Sequence, residues 1–298
     1  MVNEQQVKQF EIVAWVKGGF RQLGRDVKDS IQSFARNRSA LIVANLVLAP
    51  WFVVIVIGHN TNPWSSFAMI FGIMFVYWFF TRGRANETVP VRQPIIEAAL
   101  ALSIVLLWML YRIGEYVDLY KLPHMGLGSL KDIFDTIVPK FLEMFVLPLV
   151  VWLLLRYRPR DLGLRGRWRD WIPALIPIAA LIFFGLRNNT PRQWSDDTFF
   201  FFLGAGLPEE FLFRGILQPR LESLLKSPVW GLYLASLMFG MSHLPINLSN
   251  TTPQNWNVAF ESAFTFQLSV GFALGYAFQR VRNIVPLMVI HTLIDSAP

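Results

Sequence analysis

The chain has 298 residues, of which 54% are hydrophobic and only 16% charged, and its formal net charge is +7. Soluble domains carry about 25% charged residues, so this composition does not fit a water-soluble globular protein. The sequence contains no cysteine, which excludes disulfides, thiolate metal sites and a cysteine nucleophile. The basic residues cluster at the ends of apolar segments, a pattern that indicates contact with membrane lipids and no nucleic-acid partner.

The first 38 residues form a basic segment with seven Lys or Arg and four Asp or Glu. The charges are spread throughout, so the segment has no short apolar core and is not a signal peptide. Its apolar residues recur close to helical spacing, which predicts one or two amphipathic helices on the cytoplasmic leaflet. A solvated basic arm fits the same pattern. We treat residues 1–38 as a separate cytoplasmic segment.

Apolar runs fill most of the remaining chain, and a spanning helix needs about 20 mostly apolar residues. Nine segments qualify: 40–58, 64–81, 95–112, 137–156, 171–186, 198–218, 228–244, 260–280 and 284–298. The fifth and ninth are short, and a partial span at either position would leave eight. The predicted fold is therefore all-α, a polytopic transmembrane bundle of eight or nine helices.

The charges of the connecting loops predict the orientation. Arginines or lysines follow the second, fourth, sixth and eighth segments, whereas loops 59–63 and 245–259 carry no charged residue. Basic loops stay in the cytoplasm, so we expect a cytoplasmic N-terminus. This topology is typical of a prokaryotic cell-membrane protein.

Ionisable residues inside spans are costly unless they are paired or face a polar cavity, so their positions suggest function. Glu210 and Arg214 are four residues apart on the sixth segment, which predicts a buried ion pair. Glu209 is rotated by about 100° from Glu210 and shares Arg214 less easily. We therefore expect Glu209 to face a cavity as a general base. A helix-packing hydrogen bond is the structural alternative.

The last third of the chain also holds two intramembrane histidines. His243 shares a helix face with Phe239, and His291 lies four residues before Asp295, which is placed to fix its tautomer. From the predicted cytoplasmic helix ends, Glu209 lies roughly 14 Å, His243 roughly 21 Å and His291 roughly 11 Å into the membrane. A shared cavity is compatible with these depths.

Three short motifs occur in order on three apolar segments: Glu209-Glu210-x-x-x-Arg214, Phe239-x-x-x-His243 and His291-x-x-x-Asp295. This arrangement resembles the CPBP family of CAAX prenyl endopeptidases and bacteriocin-processing proteins, also called the Abi domain. The resemblance covers residues 198–298 as a catalytic helical core and leaves 39–197 as N-terminal transmembrane helices.

The resemblance implies an intramembrane glutamate-type endopeptidase with no cofactor. Glu209 and His243 would activate the attacking water, and His291 with residue 295 would stabilise the oxyanion, with Glu210, Arg214 and Phe239 as structural support. Well-understood family members carry Asn where this chain has Asp295. Because an ionised Asp cannot donate to an oxyanion, we expect Asp295 to orient His291, the donor. A protonated Asp295 that contacts the oxyanion is the alternative.

Two alternatives remain beside this reading. Glu209, His243 and His291 have suitable chemistry for a divalent metal such as zinc, although the sequence lacks the His-Glu-x-x-His motif of zinc proteases. The second alternative is a non-catalytic membrane protein, such as a bacteriocin-immunity factor or scaffold. The expected substrate is a membrane-associated peptide or protein, and the sequence leaves the oligomeric state open.

Overall fold

The computed structural model describes residues 22–57, 63–84, 87–116, 137–249 and 255–296, and these residues contain no β-strand. The helices, numbered in chain order, are α1 (22–36), α2 (Arg38–Ile57), α3 (Pro63–Thr81), α4 (Pro94–Tyr116), α5 (Ile137–Leu154), α6 (Ile172–Asn188), α7 (Pro191 to Leu224), α8 (Pro228–Ser249), α9 (Trp256–Val281) and α10 (Val285–Ser296). A helix lies at each of the nine predicted segments. The predicted loop at 117–136 lies outside the described residues.

Five helices, α2, α4, α5, α8 and α9, are long and apolar enough to cross a membrane. Shorter apolar helices occur at Ser66–Thr81, Ile172–Asn188 and Val285–Ser296. Large apolar side chains also point outward, including Phe52 (68% exposed) and Leu154 (77% exposed). An outer surface of this kind suits lipid hydrocarbon, so the prediction of an all-α integral membrane protein is confirmed.

The chain divides into two compact units between Leu46 and Val47. In the first unit, α1 confirms helical structure in the second half of the predicted amphipathic segment, and it exposes Ile31 and Phe34. Residues 1–21 lie outside the described residues. The division of the chain at residues 38 and 197 stays a prediction.

Helices α7 and α10 lie at the centre of the second unit. In α7 every residue from 208 to 221 is buried. Gly206 permits the close approach of α10, because a Cβ atom at this position would lie 2.5 Å from the carbonyl oxygen of Met288. Helices α4, α5, α6, α8 and α9 pack against this pair, and α3 packs against α6 and α9.

Helix α7 is not a regular α-helix. Two π-helical stretches, Phe202–Gly206 and Phe211–Leu217, flank the short α-helical turn that carries Pro208, Glu209 and Glu210. Pro208 lacks the N–H that an α-helix interior requires, and a widened turn before it relieves the clash of its ring. The consequence is that both glutamates lie on a locally distorted part of the helix, where π-turns often accompany function.

The arginine-rich loop between α5 and α6 folds against the end of α9. Arg165 and Arg167 both form ion pairs with Glu87, and the Arg167 hydrogen bond holds the pKa of Glu87 below its usual value. Arg167 also binds Asp170 at 3.0 Å. This loop carries charge on the predicted cytoplasmic side, and its ion pairs give it a defined structure.

Candidate active site

The structure brings together three of the predicted site residues from three helices. Oε2 of Glu209 on α7 lies 3.8 Å from Nε2 of His243 on α8 and 3.7 Å from Nε2 of His291 on α10. Glu209 and His291 are 3% and 2% exposed. The cluster is therefore a buried site, and Oε2 of Glu209 has no hydrogen-bond partner among the described residues.

The bounds of the helices explain why residues at different predicted depths meet. Helix α7 continues to Leu224, so Glu209 lies about 22 Å from the loop that joins α7 to α8, as does His243 on the other side of that loop. Helix α10 starts late, after the buried residue Asn283, and the N–H of Ile284 donates to the carbonyl oxygen of Gly163. Helix α10 therefore begins at a point already inside the bundle, and this start places His291 deep enough to meet Glu209 and His243.

The backbone determines the tautomer of His243. Its Nδ1 lies 2.8 Å from the carbonyl oxygen of Phe239, one helical turn earlier. Because a carbonyl oxygen only accepts hydrogen bonds, Nδ1 carries the hydrogen. In the neutral ring Nε2 then has a free lone pair, and this nitrogen faces Glu209.

The predicted ion pair between Glu210 and Arg214 is present, with Oε1 2.8 Å from Nη1, and Arg214 also donates to the carbonyl oxygen of Gly271 at 3.1 Å. The same Oε1 atom lies 2.8 Å from Nδ1 of His291. Glu210 is thus more than the structural partner of an arginine, since it also orients a histidine of the site.

This hydrogen bond changes the role that we predicted for Asp295. Its Oδ2 atom lies 3.5 Å from Nε2 of His291, the nitrogen that faces Glu209, and makes no bond to Nδ1. The expectation that Asp295 fixes the His291 tautomer does not fit this geometry, because Glu210 occupies the nitrogen that sets it. The four-residue spacing brings Asp295 near His291 but does not determine which ring nitrogen it meets.

The ring of Phe239 contacts both histidines of the site. Its ring centroid is 4.7 Å from that of His243 and 5.6 Å from that of His291. The guanidinium of Arg214 lies 4.4 Å from the same ring centroid. One aromatic ring therefore packs against both imidazoles and against the guanidinium.

Sequence reasoning missed Lys140. Its Nζ atom on α5 donates to Oε1 of Glu209 at 2.5 Å, so Glu209 has a charged partner that the sequence analysis did not identify. The prediction considered acidic residues and histidines inside the spans and left out basic ones. A lysine in an apolar stretch such as 137–154 is itself a sign of a buried partner, since an unpaired ammonium there is costly.

The fold and this cluster define an integral membrane protein that holds a carboxylate and two imidazoles in a buried intramembrane site. Residues 191–297 match the family model described as Rce1-like, type II CAAX prenyl endopeptidase. The C-terminal third is thus similar to Rce1-like proteins, which confirms the resemblance to CAAX proteases. No curated protein and no solved structure matches the chain.

Proposed function

We propose that this protein is an intramembrane endopeptidase that hydrolyses a peptide bond in a membrane-associated peptide or protein. The observation that carries the proposal is the convergence of Glu209 with Nε2 of His243 and Nε2 of His291 in one buried cluster. Neither cysteine nor a serine nucleophile motif is available. Water is therefore the attacking group, and Glu209 with His243 activates it.

The two acceptor atoms suit one water molecule. Oε2 of Glu209 and Nε2 of His243 are 3.8 Å apart, too far for a direct hydrogen bond. A water between them donates one hydrogen to each and keeps its lone pairs for the substrate carbonyl. Glu209 takes the proton as the C–O bond forms. This proton passes to Nε2 of His243, which delivers it to the leaving amine as the C–N bond breaks.

The oxyanion of the tetrahedral intermediate requires a donor, and His291 is placed to supply it. Its Nδ1 is engaged with Glu210, so its Nε2 donates to the oxyanion in the imidazolium form. Glu210, Glu209 and Asp295 surround this ring and supply the compensating negative charge. We assign Asp295 to stabilising the imidazolium, since an ionised carboxylate would repel an oxyanion in direct contact.

The family description names prenyl endopeptidases, so a prenylated peptide is the first substrate to test. We propose that the protein acts in a prokaryotic cell membrane, with a cytoplasmic N-terminus, in contact with lipids. The arginine-rich loops support this orientation. The buried position of Glu209 limits the substrate to a chain that reaches the bilayer interior.

The proposal is tested with purified protein in liposomes and a library of membrane-associated peptides, half of them prenylated, in oxygen-18 water. Mass spectrometry should find new C-termini that carry oxygen-18. The double variant Glu209→Gln with His243→Ala is the inactive control. A wild-type protein that cleaves no peptide and matches this control would instead support a non-catalytic immunity factor or scaffold.

We also propose that the chemistry requires no metal or other cofactor. Lys140 already neutralises the carboxylate that a metal would bind. Incubation with EDTA should leave peptide cleavage unchanged. Loss of cleavage that is restored by zinc would replace this mechanism with a metal-assisted one.

A further inference from the structure

The most informative contact outside the predicted motifs joins Lys140 of α5 to Glu209 of α7. Nζ of Lys140 is 2.5 Å from Oε1 of Glu209, and the two side chains are 23% and 4% exposed. Lys140 lies outside residues 191–297, the part that matches the family model. The candidate site therefore includes a residue from the N-terminal helices.

The contact determines which way the carboxylate of Glu209 faces. Lys140 holds Oε1, and Oε2 is left to face both Nε2 atoms, at 3.8 Å from His243 and 3.7 Å from His291. A rotation of the carboxylate would break the bond to the ammonium. Lys140 thus keeps one oxygen of Glu209 directed at the position where water is activated.

The contact also supplies charge. The groups that face Glu209 are Lys140 from α5, His243 from α8, His291 and Asp295 from α10, and Glu210 and Arg214 from α7 itself. Arg214 is matched by Glu210. Among the described residues around Glu209, Lys140 is therefore the remaining permanent cation for a buried carboxylate that also has other carboxylates nearby.

From this geometry we propose that Lys140 is a positioning residue that keeps Glu209 ionised and directs its Oε2 atom toward the water. The inference rests on the proposed function. Burial and neighbouring negative charge both favour the protonated, inactive form of a carboxylate, and a fixed ammonium opposes them. Removal of the charge should therefore restrict activity to higher pH, where Glu209 still ionises.

The test measures kcat/KM from pH 5 to pH 10 for wild type, Lys140→Met, Lys140→Gln and Lys140→Arg in liposomes. Met removes both charge and hydrogen bond, Gln keeps a donor without charge, and Arg keeps the charge. We expect the acidic limb of the profile to move up by at least about one pH unit in the Met and Gln variants, with the loss of activity largest at the acidic end of the range. Arg should keep the limb near its wild-type position.

Lys28→Met, which removes the same charge from the exposed face of α1, is the matched control and should keep the wild-type profile. Thermal unfolding is recorded for every variant. The positioning role would be overturned if a folded Met or Gln variant kept the acidic limb of the kcat/KM profile at its wild-type pH. An equal loss of kcat/KM at all pH values would also overturn it. In both cases the protease proposal would stand. If Met does not fold, Gln and Arg decide the question. An inactive wild type would instead defeat the protease proposal and this inference with it.

Discussion

Glu210 and His291 are joined by a hydrogen bond of 2.8 Å between Oε1 and Nδ1, although they lie 81 residues apart on different helices. The same oxygen forms an ion pair with Nη1 of Arg214 at 2.8 Å. Arg214, Glu210 and His291 therefore form a continuous chain of charged contacts that ends at the candidate catalytic cavity. A change at the arginine should affect both the stability of the bundle and the position of the histidine.

Arg214→Ala should destabilise the folded protein, because it leaves Glu210 buried without its cation. Loss of one partner of a buried pair typically costs about 3–5 kcal/mol. The measurement is thermal unfolding in detergent together with purification yield, and Arg192→Ala, at an exposed position of α7, is the control. Wild-type yield and melting temperature for Arg214→Ala would remove the structural role of the pair.

His291→Ala should reduce cleavage by about a hundred- to a thousandfold, the usual effect of losing one oxyanion donor. Asp295→Asn should keep substantial activity, since an amide beside Nε2 of His291 can accept and also donate a hydrogen bond. Single-turnover rates on the same peptide compare the two variants. Equal losses for both would show that Asp295 acts in the reaction as directly as His291 does.

Gly206→Ala should separate α7 from α10 and lower both stability and activity. Its Cβ would lie 2.5 Å from the carbonyl oxygen of Met288 and 2.1 Å from Oγ1 of Thr292, next to His291. Gly204→Ala is the matched control, because the nearest atom to its Cβ, on Ile137, is 3.7 Å away. Melting temperatures that are equal in the two variants would contradict the close packing of these helices.

The apolar runs were sufficient to predict the helices. A helix that spans a membrane needs a certain length and an apolar composition, and both can be seen directly in the sequence. The i, i+4 spacing likewise predicted the pair of Glu210 with Arg214. Contacts between different helices were harder to predict from the sequence. The spacing of Asp295 from His291 predicted an orienting role for Asp295 without indicating which ring nitrogen it meets. No pattern in α7 indicated that Glu210 would reach across to Nδ1 of His291 on α10.

The contact of Lys140 with Glu209 likewise could not be predicted from the sequence. The position of Lys140 in an apolar segment was visible, but its partner depends on how α5 packs against α7, which local periodicity does not determine. The depth of Glu209 was underestimated because the polar end of α7, from Gln218 to Leu224, continues the helix beyond the apolar run. Tertiary packing, and not propensity, determines both features.

The ion pairs of Glu87 should make a small, pH-dependent contribution to stability. The Arg167 hydrogen bond and Arg165 lower the pKa of Glu87 from its ordinary value of 4.5, so the contribution is present above that pH and is lost as pH falls through the lowered pKa. The Glu87 side chain is 45% exposed, so the pairs are worth about 1 kcal/mol or less. Thermal unfolding of wild type and Glu87→Gln should differ at pH 7, and the difference should shrink as the pH falls below 4.5. A constant difference across this range would contradict the assignment.

The central claim is that Glu209 activates the water that cleaves the peptide. The most direct measurement is the single-turnover rate of Glu209→Gln beside wild type, in liposomes, on a peptide that the wild type cleaves. General-base catalysis is worth about a hundred- to ten-thousandfold, so the variant should lose at least about a hundredfold in rate while its melting temperature shows a folded protein. A folded Glu209→Gln variant that cleaves within about tenfold of the wild-type rate would contradict the account.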